Sequence, residues 1–477
     1  MSNFDSSLRE CLGFSQIMIS EFLRVSIARE LISPKFPIGV DTIYKPFFIT
    51  VFFIFCILLV SCAPVNNISI GKDSKIKKIP AEAIVTKDAQ EKEIASLDEE
   101  ALNNKIHISN FKKTSIQNNV TIILSKNDNA DIVRQFINVI ELAVYKKKLQ
   151  NITFEIKVYD NSDQLSAFLG NSNLAGKIFI GPLSTSDTRI LKQYCDKGAV
   201  FFSFSSNKNL ANNCVYLVNF FPENEMRTVF EYFPDNSKIA LLFPENAYGF
   251  GINKIIDVIA NQSNSVIVNR ASYNENMKNA PQAIRELGKY ELRKYELNRQ
   301  KKILASKKDD KSKRRLIQLE KFQTTKDFDF THVIIADYGL RLLQVAPLLP
   351  YYDIDPNIVR FVGTGAWDDN VFYDEPSLNG SIYPGIEFEK RKQLTQDYYD
   401  LYNEKLLRTS TLPFDLVGLL VFIIDNNYNL SSFYELLNES NSKFSGVDGS
   451  FYFLNNAIER DLSILKINEG KAKITSK

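Results

Sequence analysis

The sequence is poor in the residues that carry chemistry. Its 477 residues include two histidines, one tryptophan, four methionines and five cysteines. There is no G-x-S-x-G elbow, no H-E-x-x-H and no C-x-x-C, so the motif routes to a serine hydrolase, a zinc protease or a thiol redox centre are closed. His107 falls in a polar stretch, and His332 lies in a strand-like run where a packed residue is expected rather than a base. "GFGINK" (249–254) opens like a dinucleotide loop, but Lys254 stands where the third glycine belongs, and close packing of a helix start on its sheet explains it better. Carboxylate pairs such as Asp353/Asp355 and Asp368/Asp369 lack a full oxygen-ligand pattern and read as turn or capping residues. No catalysis, metal or cofactor is expected. A formal net charge of +2 also argues against nucleic acid as the main partner.

Long hydrophobic runs are scarce too, with one exception. Residues 47–60, "FFITVFFIFCILLV", are apolar apart from Thr50, and Lys45 lies just before them. Fourteen residues fall short of the ~20 that span a bilayer but suit the core of a signal peptide. Leu59-Val60-Ser61-Cys62 resembles a bacterial lipobox, in which the cysteine thiol takes the lipid and becomes the mature N-terminus. The other reading is an uncleaved signal anchor. With 45–61 as signal peptide and Cys62 as the lipidation site, several acyl chains hold the protein to a membrane at ~0.8 kcal/mol per buried methylene. By analogy with Gram-negative lipoproteins, Ala63 after the cysteine points to the periplasmic face of the outer membrane. Residues 1–44 look neither folded nor like a signal n-region, and a misassigned start explains them more simply than a function does.

Residues 62–115 are polar and rich in Lys, Asn, Glu and Asp, and they read as a tether with an r.m.s. span of roughly 40 Å. The folded body is expected over 116–477. There, short apolar runs (120–125, 152–160, 177–181, 199–205, 238–244, 265–273, 331–337 and 359–365) alternate with amphipathic segments such as 130–148. Buried strands spaced by crossover helices predict an α/β fold with parallel sheets, and their number favours two doubly wound lobes with a cleft. Of the cysteines, only Cys195 and Cys214 remain in this body. They can pair in an oxidising compartment, but the strand-like run between them is expected to hold them apart.

Several runs end in small or polar residues: "GPLSTSDT", "SFSSN", "ENAYGFG", "ADYG" and "GTGAWDD". Ligands of open α/β sheets sit at such carboxyl ends. Ordinary turn chemistry explains the same residues equally well. Residues 279–326 break the rhythm, with strong helix formers, no strand signal and about fifteen basic against about six acidic residues. Two helices broken near "KKDDKSK" are expected. The segment is either a solvated arm or a basic docking surface, with Tyr290 and Tyr295 as anchors beside Arg314 and Arg315.

"GPLSTSDTRILKQYCDKGAVFFSFSSN" (181–207) resembles the first lobe of the type I periplasmic binding-protein fold of branched-chain amino acid receptors. "DFDFTHVIIADYGLRLLQVAPLLPYYDIDPNIVRFVGTGAWDD" (327–369), with 375–384 and 444–475, is similar to the penicillin-binding protein activator family of bacterial lipoproteins. The resemblance covers roughly 115–475. It implies a regulator on the periplasmic face of the outer membrane that contacts a peptidoglycan synthase (a penicillin-binding protein) and stimulates it. The helical-repeat N-terminal domain of the best-known members is replaced here by the tether. The alternative is a lipid-anchored receptor for an amino acid-like small molecule. On that reading Ser184, Thr185, Ser205 and Ser206 hold a ligand carboxylate, Tyr248 stacks on it, Asp337 takes the amine, and Tyr338 and Trp367 complete an aromatic rim.

Overall fold

The computed structural model describes residues 111–475, apart from 112, 148, 150, 308, 440 and 441. The expected extension 1–44, the signal peptide 45–61, Cys62 and the tether up to residue 110 lie outside the described residues.

The continuous apolar runs become strands because they can be buried on both faces. In "NVTIILS" every residue but the first is buried, giving β1 (Asn119–Ser125), and "KIALLFP" behaves the same way. The first lobe also holds β2 (Thr153–Tyr159), β3 (Ile178–Ile180), β4 (Val200–Ser203) and β5 (Val215–Leu217). The second lobe is built on β6 (Lys238–Pro244), β7 (Val266–Tyr273), β8 (His332–Ile335), β9 (Arg360–Val362) and β10 (Ile382–Gly385). The chain then returns to the first lobe for β11 (Phe444–Gly446), β12 (Gly449–Leu454) and β13 (Ala457–Arg460), and ends in the second with β14 (Ser463–Asn468) and β15 (Lys471–Ile474).

Strand order is β11-β12-β13-β5-β4-β3-β1-β2 in one sheet and β15-β14-β10-β9-β8-β6-β7 in the other. Parallel pairing runs through β1–β5 and β6–β10, while β11–β12, β12–β13, β10–β14 and β14–β15 are antiparallel. The eight expected runs all fall on strands. Among the strands that escaped notice, β5 and β10 are only three or four residues long, and β12 alternates buried with half-buried residues. Its apolar stretch, Phe451–Leu454, is only four residues long, too short to separate a strand from a helix segment by period.

One core fills the first lobe, packing β1 and β3–β5 against the helices Ala130–Lys147, Leu412–Asp425 and Leu430–Asn438. Two cores line the faces of the second sheet, one beneath Ala280–Leu287 and one beneath Pro222–Tyr232 and Ala247–Asn261. The chain crosses between lobes three times, at 218–221, 386–391 and 460–463, and the helix Lys392–Tyr402 after the second crossing packs Leu394 and Tyr398 with Val139 and Leu142 of the first lobe. Among the described residues no helix is long and apolar enough to cross a membrane.

Two expectations need correcting. Cys195 and Cys214 are disulfide-bonded, with Cα atoms 5.2 Å apart. The intervening strand does not separate them because β4 has only four residues and Cys214 lies beside its start, where its carbonyl accepts the Phe201 N–H at 2.8 Å. The helical segment 279–326 is also not one free arm. Its first helix, Ala280–Leu287, buries Ala280, Ala283, Ile284 and Leu287 in the second lobe, so only Tyr290–Ser306 and Asp310–Glu320 form the excursion. The break between them falls at 307–309.

Candidate functional site

The residues expected to line a cleft sit at the carboxyl ends of the parallel strands, but most are already engaged. Gly181, just after β3, has φ +104°, and a Cβ there would stand 2.2 Å from the Ile123 carbonyl oxygen, so only glycine turns the chain here. The turn leads to Ser184, which caps the helix Thr185–Arg189. Its Oγ accepts the Asp187 N–H at 3.1 Å and donates to the Asp187 carboxylate at 2.8 Å. Asp187 also accepts from the Tyr159 hydroxyl at 2.9 Å and from Ser162 Oγ at 2.5 Å. Burial, reinforced by this carboxylate, pushes the Tyr159 hydroxyl well above its ordinary value. Thr185 Oγ1 and Ser205 Oγ lie 3.0 Å apart, and Ser205 is fully buried. Ser206 is exposed.

On the second lobe, Asn246 caps the helix Ala247–Asn261, and Gly249 lies so close to β6 that a Cβ would stand 2.1 Å from the Pro244 carbonyl oxygen. That contact accounts for the glycine of "GFGINK". Tyr248, one residue earlier, shares a 2.6 Å hydrogen bond with Thr364 Oγ1 and meets Tyr338 edge to face, with ring centroids 4.9 Å apart.

Asp337 is fully buried with no acceptor position to spare. It takes the Tyr273 hydroxyl at 2.6 Å, the Tyr338 N–H at 2.8 Å, and Arg341 Nε and Nη2 each at 3.0 Å. A carboxylate offers about four acceptor positions, so a ligand amine would have to displace one of these donors. Trp367 is corrected from rim to core. It is fully buried, its indole N–H donates to the Asp337 carbonyl at 3.0 Å, and a Cβ on Gly363 would stand 2.0 Å from its ring.

The structure therefore groups Ser184, Thr185 and Ser205 on one lobe and Tyr248, Asp337, Tyr338 and Trp367 on the other. Among the described residues no hydrogen bond, ion pair or ring contact joins the two sets. A different set of side chains ties the lobes, one that sequence reasoning missed. Asp368 follows β9 in the second lobe, and Asp448 lies in the β11–β12 turn of the first. Between them lie Arg391, at the second crossing, 2.6 Å from Asp368 and 3.7 Å from Asp448, and Arg408, just before the first-lobe helix Leu412–Asp425, 3.0 Å from Asp368 and 2.6 Å from Asp448. Thr411 donates its hydroxyl to Asp448 as well.

The other two crossings join the same cluster. Arg460, at the third, is 3.0 Å from Asp415 and donates to the Asp448 carbonyl at 3.2 Å. Phe220, at the first, has the Arg408 guanidinium 3.8 Å and that of Arg460 5.2 Å from its ring centre. Arg391, Arg460, Asp415 and Asp448 are all buried. Burial raises a carboxyl's pKa, but Arg408, Arg460 and Arg391 together outweigh it at Asp448 and hold that group below its ordinary value. At Asp415 burial wins over Arg460, and the pKa is raised.

Glu225, near the start of Pro222–Tyr232, borders this cluster and accepts the Gly365 N–H at 2.9 Å. Burial pushes its carboxyl up to about 7 against the pull of that N–H and of Arg408. The only sequence-level trace of this cluster was Asp368/Asp369. Asp368 binds the two arginines, while Asp369 caps Val371 and pairs with Lys405 at 2.8 Å. No group of side chains with metal-ligating character occurs among the described residues.

On the excursion, Tyr295, Arg314 and Arg315 are exposed. Tyr290 is corrected from anchor to inward-facing residue: it is buried edge to face against Tyr352 at 5.7 Å, with its hydroxyl 3.2 Å from Gln323 Oε1.

No protein-family model matches the chain. An uncharacterized protein of Rickettsia prowazekii is 20% identical over 192 residues, 39% of this chain, so the match spans about half (51%) of that relative's length. Among solved structures, a putative branched-chain amino acid ABC transporter from Rhodospirillum rubrum superposes with TM-score 0.56 at 12% identity, covering 76% of this chain and all of the other. Full-length LpoA from Haemophilus influenzae superposes with TM-score 0.52 at 15% identity, covering 78% of this chain and 61% of that one. The LpoA C-domain of the same organism, described as a regulator of PBP1A, gives TM-score 0.50 at 14% identity over 75% of this chain and all of the domain. The fold is that of the two-lobed type I periplasmic binding proteins, shared by the ABC transporter protein and by the PBP1A regulator.

Proposed function

Starting from that fold, we propose that the chain is a non-catalytic regulator that contacts a peptidoglycan synthase of the penicillin-binding protein class and stimulates it from the periplasmic face of the outer membrane. In this reading Cys62 carries the lipid anchor and residues 62–115 let the body reach away from the bilayer. The observation that carries it is the buried charged cluster at the three crossings. A receptor of this fold works by rotating its lobes about the linkers, and here Arg391, Arg408 and Arg460 tie all three linkers to Asp368, Asp415 and Asp448. Parting one partner from such a buried pair costs about 3–5 kcal/mol. A body held this way acts through its surface.

The receptor reading keeps one point in its favour, the Thr185–Ser205 hydroxyl pair at the end of the first-lobe strands. It loses the amine site, because Asp337 is saturated by its own neighbours. One experiment separates the two: the purified chain is titrated with the periplasmic region of a penicillin-binding protein from the same genome, and separately with amino acids, by calorimetry. The expected result is micromolar or tighter binding of the synthase, an increase in its glycan-polymerising rate, and no heat with amino acids. Saturable amino-acid binding with an inert synthase would overturn the proposal.

A further inference from the structure

The helix Tyr290–Ser306 carries apolar side chains on two opposite faces. At about 100° per residue, Tyr290, Arg293 and Leu297 fall on one side, and all three are buried. Leu292, Tyr295 and Ile303 fall on the other and are 63%, 66% and 46% exposed. The inner face is pinned firmly. The Arg293 guanidinium donates to the Gly288 carbonyl at 2.7 Å, Thr324 Oγ1 at 2.8 Å, the Thr325 carbonyl at 2.9 Å and the Tyr352 carbonyl at 3.2 Å, and it stacks 4.3 Å from the Phe328 ring centre. The outer face is thus presented in a fixed pose, which lowers the entropy cost of binding.

Charge names the occupant. Among the described residues Lys302, Lys307, Lys311, Arg314, Arg315 and Lys321 form no ion pair, whereas Arg299 and Lys313 are paired to Glu296 and Asp310. Ile317 is 61% exposed on the second helix, with Arg314 three residues before it and Lys321 four after. The apolar stripe is narrow and has Arg299 at its centre. A helix that lies in a bilayer surface shows a broad apolar face instead. Anchors spaced along one helix face fit the helix-in-groove mode of protein recognition.

We infer that Leu292, Tyr295 and Ile303 seat in an apolar groove with an acidic rim on the partner protein, the surrounding lysines and arginines meeting that rim. The inference rests on the regulator reading and specifies which surface of the chain the synthase takes.

The test measures binding of the full chain to the periplasmic region of the penicillin-binding protein across a salt series. The variants are Leu292→Ser/Tyr295→Ser/Ile303→Ser and Arg314→Glu/Arg315→Glu, with Phe250→Ser/Val258→Ser as a control at exposed apolar positions of Ala247–Asn261. The triple variant is expected to bind at least about tenfold more weakly, as loss of hot-spot anchors does, with an unchanged melting temperature. The charge-reversed variant is expected to bind more weakly at low salt and to lose most of its salt dependence, while the control stays within about twofold of wild type. If wild type binds and the triple variant binds equally well, the groove inference falls and the regulator reading stands. If wild type does not bind, both fall. If phosphatidylglycerol vesicles capture wild type but not the triple variant, while synthase binding is the same for both, the surface belongs to a membrane and the inference is overturned.

Discussion

Asp337 and Asp448 show how much a single carboxylate's meaning depends on what surrounds it. Both are acids between apolar strands or turns in the sequence, and nothing local separates a ligand-holding acid from a structural one. The arginines that decide the matter lie four residues away for Asp337 and 12 to 57 residues away for Asp448. Replacing Asp448 with alanine leaves Arg408 and Arg391 facing a buried gap and is expected to lower unfolding free energy by about 3–5 kcal/mol in a denaturant titration. Asp337→Asn removes a charged acceptor from Tyr273 and Arg341 and is expected to cost about 2 kcal/mol. An unchanged denaturation midpoint for Asp337→Asn would mean that the carboxylate is free for another task.

Two groups set opposite pH slopes. Glu225 is held near 7 in the fold against an ordinary 4.5, so between these values the folded chain binds more protons than the unfolded one, and stability falls as pH rises. His332 is pushed down to about 4 by burial and by Arg360, so between about 4 and 6.5 the unfolded chain binds more, and stability rises with pH. Glu225→Gln keeps an acceptor for the Gly365 N–H and removes only the first slope. Its stability relative to wild type should climb from pH 4.5 to 7 and then level off. A flat difference across that range would show that Glu225 ionises normally.

At the level of elements, long apolar runs were legible because a strand buried on both faces needs nothing else in its sequence. β5 was not, since three residues leave no run to count even when all are buried, and neither was β12, whose six residues are buried on one face only. The excursion was visible as a composition change, but its inner boundary was not. Ala280–Leu287 has the same helix formers as its neighbours, and only its packing against Tyr273 and Leu349 assigns it to the lobe. The disulfide was hidden for a related reason, because spacing along the chain says little when the next strand returns beside the first cysteine. It closes a loop with a sequence separation of 19. Cys195→Ala/Cys214→Ala is expected to lose about 3 kcal/mol of stability from loop entropy, and reduction of the wild type should match it. A variant as stable as wild type would place the strain of the bond on a par with its benefit.

On the scale of the whole molecule, the two-lobed plan was readable from the number of strands, while the way the lobes are tied was not. The cluster gathers side chains from residues 220, 368, 391, 408, 415, 448 and 460, scattered along more than half of the chain. If it fixes the lobes, small-angle scattering curves with and without a saturating mixture of amino acids should superimpose. A fall in radius of gyration on addition would show closure and favour the receptor reading.

The same cluster bears on what happens when the backbone is cut. Lys405 is exposed just after the helix Lys392–Tyr402, a place where trypsin can reach. The fragments on either side remain joined by the strands of both sheets and by arginines that do not depend on chain continuity there. A protein nicked at this point should elute from a sizing column as one species and come apart only in denaturant, like a hinge whose pin outlasts one of its straps.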